Sequence, residues 1–194
     1  VNGILLQQCG VNDEGSTIMM KITKKKLDDM YRSYCASYIT IGGETCALIA
    51  SEEEGYPCYM YSGKDFEKRE TVWEKGGGCM SIIPIPNKSN EFLAIVDFYL
   101  KVSPSKAKVV WGKYDPETGW EIKDVLYLPY LHRFDIYDVD GVNYFVGATI
   151  ADDKDFKDDW SRSGSIYYGV LPEDPTEGVE LKVAVLLAQV PGRH

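Results

Sequence analysis

Short runs in which apolar residues alternate with polar ones, or stand together, recur from end to end of the chain, broken by clusters of Gly, Asn, Asp and Glu. Successive side chains of an extended chain point to opposite faces, so this grammar predicts β-strands. It predicts them at 4–6, 18–22, 38–41, 46–50, 58–61, 71–73, 80–85, 92–99, 108–114, 120–128, 131–139, 142–150, 165–171 and 179–187. One stretch has another period. Leu27, Met30, Tyr31, Tyr34 and Cys35 recur at spacings of three and four, with charged residues between, and predict a short amphipathic helix.

The sharpest local signal is Asp140-Gly141, a two-residue hairpin turn between apolar strands. A turn of that length fixes the register and pairs Val139 with Val142, Asp138 with Asn143, Tyr137 with Tyr144 and Ile136 with Phe145. Apolar groups then lie on both faces of the hairpin, which requires cover on both sides and favours stacked sheets. A second hairpin is expected to turn at residues 115–119.

The strands also repeat. Segments opening at Tyr38, Met80 and His132 each hold four short strands and start 42 and 52 residues apart. A period of about 40 to 50 residues with four strands per unit is the mark of β-propeller blades. The expected fold is therefore all-β, a β-propeller with four-stranded blades. Its expected division is a leading partial blade with the short helix at 1–37, blades at 38–79, 80–131 and 132–190, and the start of a further blade at 191–194. A run of hairpins also fits a sandwich or a barrel. Three units cannot close a ring that usually needs four to eight blades. The expectation is thus an incomplete propeller, completed by a second chain or by the remaining half of the same protein.

Composition narrows the partners. The 194 residues include 30 acidic and 21 basic side chains, a formal charge of −9. That field opposes polyanions, so no nucleic acid is expected. The longest apolar stretch, 183–190, is too short for a membrane-spanning helix, and no membrane partner is expected. The five cysteines form no C-x-x-C pair and have no histidine at zinc spacing, so they read as reduced, mostly buried thiols. With no secretory signal pattern at the first residues, the expected location is cytoplasmic.

Gly76-Gly77-Gly78-Cys79-Met80-Ser81, Phe92-Leu93-Ala94-Ile95 and the run from Leu131 through Arg133 and Asp138 to Gly141 resemble bacterial β-propellers related to FG-GAP-type repeats. The resemblance spans roughly residues 37 to 194 and extends, more distantly, to the propeller family of aldos-2-ulose dehydratase, which acts on oxidised sugars. It implies a propeller fold and a sugar-related role. FG-GAP repeats often carry a calcium loop of the form D-x-D-x-D-G. Here Asp138-Val139-Asp140-Gly141 places Gly directly after the second Asp and Val142 where a third ligand should stand, which favours a tight turn over a calcium site.

Two groups of residues could carry chemistry. His132 and His194 are the only histidines, and the repeat puts both at the entry to a blade's first strand. First strands line the axis of a propeller, so these imidazoles are the candidate catalytic pair, as acid and base on a sugar or as ligands of a divalent metal. Hydrogen bonding of both rings to backbone is the alternative. The second group is the loop 152–164. Its Asp158, Asp159 and Arg162 can bond sugar hydroxyls while Trp160 stacks on a ring's apolar face, and Arg133 completes the candidate substrate-binding set. A solvated acidic loop is the alternative there. Asp158 and Asp159 are adjacent and should diverge, which argues against a glycosidase dyad. Arg133 and Asp135 share a strand face and are expected to pair with each other or with a neighbouring blade. Gly76-Gly77-Gly78 lacks the Lys and Ser or Thr of a phosphate loop and reads as a flexible connection. The function these features predict is binding of a small carbohydrate or polar metabolite in the axial channel, in its catalytic form a metal-assisted sugar lyase or isomerase. A non-catalytic scaffold that presents the propeller face to another protein is the alternative.

Overall fold

The computed structural model describes residues 2–6 and 22–184. Two compact units divide the chain, Val1–Met30 and Tyr31–His194. In the first, β1 (Asn2–Leu6) pairs antiparallel with β2 (Ile22–Lys26), with Ile4 opposite Lys24.

The described residues of the second unit form three four-stranded antiparallel sheets, each a meander in chain order. The first sheet holds β3 (Ser33–Ile41), β4 (Glu44–Ser51), β5 (Tyr56–Ser62) and β6 (Lys68–Gly76). The second holds β7 (Ser81–Pro84), β8 (Glu91–Val96), β9 (Lys108–Asp115) and β10 (Gly119–Tyr127). The third holds β11 (Leu131–Val139), β12 (Val142–Thr149), β13 (Ile166–Val170) and β14 (Lys182–Val183). Three successive four-stranded meanders, with β7 packed against both β3 and β11, are the blade arrangement of a partial β-propeller.

Register explains why the sheets stack. In β8 every residue is buried, and its odd and even positions serve different neighbours. Phe92, Ala94 and Val96 join Ile82 and Val110 against Ile39, Leu48, Cys58 and Met60 of the first sheet. Leu93 and Ile95 join Val109 and Trp111 against Phe134, Ile136 and Phe145 of the third. The middle sheet is thus apolar on both faces because it is covered on both faces. The hairpin at Asp140-Gly141 has the register expected of it, Val139 opposite Val142 through Ile136 opposite Phe145. Both turn residues sit at positive φ, 53° and 82°, as a tight two-residue hairpin requires. Asp138 accepts from the Gly141 N–H and from Asn87 Nδ2, so its carboxylate serves the turn and a neighbouring loop.

The helix expected from Leu27 to Cys35 is not formed. Residues 27–30 have no regular structure, residues 31 and 32 form a turn with Arg32 at φ +47°, and β3 begins at Ser33. A helix this short is marginal by itself, whereas β3 gains a full ladder with β4. Only Cys35 of the proposed helical stripe is buried, and Tyr31 and Tyr34 are exposed. The triple glycine is likewise no loose tether. Gly78 N–H donates to Glu52 O, while the Gly77 and Gly78 carbonyls accept from Asp97 and Phe98. A Cβ on Gly78 would lie 2.3 Å from the Phe98 nitrogen, so glycine is what lets the chain pass there. Of the strand expected at 179–187, residues 182 and 183 form β14, and 185–187 lie outside the described residues.

Candidate functional site

Antiparallel order puts the β4–β5, β6–β7, β8–β9, β10–β11 and β12–β13 connections at one end of the stacked sheets and the hairpins at the other. The first end also carries the starts of β3, β7 and β11. It holds the connections 97–107 and 150–165, whereas its opposite has the tight turns at 42–43 and 140–141 together with the connection 171–181. Backbone bonds join these connections in series: Gly78 to Glu52, Asp97 to Gly77, Tyr130 to Pro104, Ile150 to Tyr130. A rigid end that carries long loops is where a ligand site is expected.

Arg133 lies near the start of β11, at that end. β11 carries a bulge between Leu131 and Arg133, and Arg133 pairs with Ala148 on the outward face of the third sheet. Its guanidinium donates to Met80 O, just before β7, and to Tyr34 Oη on β3 at 2.8 Å. It also lies 5.3 Å from the centroid of the Tyr34 ring. One side chain therefore links the starts of all three first strands. Of the two pairings expected for it, the one with a neighbouring sheet is formed. Asp135 bonds the backbone N–H of Ile136 instead. Beside Arg133, an open depression of about 250 Å³ has Val146, Ala148 and Ile166 in its floor.

His132 occupies the bulge, half-buried, its ring 5.0 Å from that of buried Phe98. His194 lies outside the described residues, so the expected imidazole pair is not on view. Among the described residues no group of three or more His, Cys, Asp or Glu side chains is placed to hold a metal ion.

The loop 152–164 divides its charged residues between two tasks. Asp159 is only 6% exposed, and its carboxylate accepts from Ser161 Oγ at 2.6 Å, Ser161 N at 3.0 Å and Asp155 N at 3.1 Å. The Ser161 hydroxyl, then the Ser161 and Asp155 amides, hold its pKa down at about 2, against the opposing effect of burial. Arg162 reaches Asp153 at 3.2 Å, Asp155 at a closer contact and Asp159 at 3.9 Å. These two expected ligand groups thus build the loop. Asp158 is exposed, so the adjacent carboxylates diverge as expected. Trp160 is 54% exposed, with the Lys154 ammonium 3.0 Å from its ring centroid, covering one face.

Other residues of this end carried no sequence signal. Arg32 is paired with Glu52 and Glu53 at 2.6 and 2.7 Å, and Lys108 with Asp97 and Asp124 at 3.3 and 2.9 Å. Tyr34 falls in the stretch whose spacing predicts a helix, and it stands in β3. Below it, the four described cysteines are free and buried, as expected of reduced thiols. Cys35 and Cys79 share a hydrogen bond. That bond, before any other influence, lowers the Cys35 pKa against the effect of burial, with smaller help from the Ile82 backbone and the Arg133 charge. Burial, then the Cys35 bond, raises Cys79 well above the ordinary thiol value.

No protein-family model and no curated protein sequence matches the chain. Neither comparison links it to FG-GAP repeats or to aldos-2-ulose dehydratase. Among solved structures it is similar to a glycoside hydrolase family 43 arabinoxylan arabinofuranohydrolase from Bacillus subtilis, crystallised with cellotetraose. The identity is 9% and the TM-score 0.45, over 77% of this chain and 35% of the enzyme's. The chain thus spans about a third of that enzyme's length, and a likeness at this level carries no argument about function.

Proposed function

We propose that the protein binds a small carbohydrate or related polar metabolite at the loop-bearing end of its sheets. The observation that carries this reading is the exposed Trp160 indole on a loop pinned by Asp159 and Arg162. An indole held on a rigid loop offers an apolar face to a sugar ring, and Asp158 beside it is free to accept from hydroxyls. The catalytic form of the reading, with His132 and His194 as acid and base or as ligands of a divalent metal, rests on their equivalent places in the repeat. The experiment is a fluorescence titration of the protein with neutral and acidic monosaccharides, repeated on Trp160→Ala. A saturable change in the wild type that weakens at least about tenfold in the variant supports the reading. Equal responses in both proteins overturn it.

A second reading, a scaffold that presents this fold to another protein, has its own observation. The outward face of the third sheet leaves Tyr137, Val139, Val142, Tyr168 and Val170 exposed. Such a face fits a partner sheet, from a second chain or from the rest of the same protein.

A further inference from the structure

Among the described residues, Arg133 is the arginine of the loop-bearing end that no carboxylate pairs. Arg32 is held by two glutamates and Arg162 by three aspartates. Arg133 instead bonds two neutral acceptors, the Met80 carbonyl and the Tyr34 hydroxyl, and makes no ion pair with a carboxylate of the described residues. Two of its five N–H groups are used by these bonds, which leaves three. The Tyr34 ring beneath it and the bonds to two other strands fix the guanidinium in place, so little entropy is lost when a ligand takes the free donors. Solvent reaches it, because it borders an open depression.

In a chain with nine more acidic than basic side chains, an arginine held in place by neutral groups alone stands apart from Arg32 and Arg162. A planar carboxylate matches a guanidinium in shape and in charge. A phosphate dianion would need a second cation beside it, and the residues that line the depression with Arg133 include none.

We propose that Arg133 anchors a carboxylate of the bound metabolite, which makes the ligand an acidic sugar, a uronate or an aldonate, rather than a neutral one. This inference rests on the reading of a sugar ligand given above, and it puts the acid group in the depression that Arg133 borders, which Asp135, Val146, Ala148 and Ile166 also line. Tyr34 is then a positioning residue, orienting the guanidinium without needing to touch the ligand.

The test is calorimetric titration with matched pairs that differ in the acid group, D-galacturonate against D-galactose and D-gluconate against D-glucitol. The proteins are the wild type, Arg133→Gln, Arg133→Lys and Tyr34→Phe. Arg133 is exposed, so the variants should fold, and circular dichroism of each checks this. The expected result is binding of at least one acid, about ten- to a hundredfold weaker in Arg133→Gln, with the neutral partner equally weak on both proteins. Arg133→Lys should recover part of the affinity, because it keeps the charge and loses the planar fork. Tyr34→Phe should fall between wild type and Arg133→Gln. Acid and neutral sugar binding alike, with Arg133→Gln unaffected, would overturn the carboxylate anchor and leave the sugar site standing. No binding of any of the four at millimolar concentration would overturn both.

Discussion

The Asp159 carboxylate has little to offer a ligand, because it is buried and a hydroxyl and two backbone amides already take three of its roughly four acceptor sites. Those donors favour its charged form, so its folded pKa of about 2 lies below the ordinary value of about 3.9. A depressed carboxylate contributes stability that is present above its unfolded pKa and is lost as pH falls through the folded one. The order of this loop should therefore hold at pH 5 and fade between about pH 4 and 2. The amide proton shifts of Ser161 and Asp155 report this directly, with a midpoint near 2; a midpoint near 4 would mean that the bonds do not form in solution. Asp159→Asn should expose Lys154, Lys157 and Arg162 to trypsin about tenfold faster at neutral pH. The sequence made this loop conspicuous through its acidic residues, Trp160 and Arg162. It could not say which carboxylate turned inward, because loop residues follow no period from which a direction can be read.

The elements were legible where a local rule acts alone. Asp140-Gly141 admits only a tight turn, and the register followed from it. The stretch from Leu27 to Cys35 was misread because apolar spacing of three and four is also compatible with a turn that leads into a strand, and the pairing of β3 with β4 is a contact between distant residues. The glycine connection was misread for a related reason. Three glycines suggest freedom, but Gly78 is glycine because the Phe98 backbone passes so close. Two substitutions separate these roles. Gly141 has φ +82° and open space around its Cβ position, so Gly141→Ala should cost only the backbone strain, about 1 kcal/mol. Gly78→Ala adds a backbone clash to the same strain and should cost roughly 3 kcal/mol or more. Urea midpoints at constant m-value measure both, and equal losses would mean that the connection is loose after all.

At the scale of the whole second unit, the three sheets differ in cover rather than in pattern. Phe92 and Leu93 are adjacent, yet one faces the first sheet and the other the third, so the middle sheet belongs to two cores at once. Phe92→Ala should cost about 3–5 kcal/mol and Leu93→Ala about 2–5 kcal/mol, since each empties a fully buried position. The third sheet repeats this alternation with Tyr137, Val139, Tyr168 and Val170, but these remain exposed. Sequence alternation announces that a face is apolar; only the neighbour decides whether it is buried. Val170 is 53% exposed, so Val170→Lys should change stability by no more than about 0.5 kcal/mol. The same change should lower the fluorescence of a hydrophobic dye bound to the native protein, because it breaks a contiguous apolar face. A loss of stability close to that of Leu93→Ala would show instead that Val170 is covered in solution, and the third sheet would then be an interior sheet like the second.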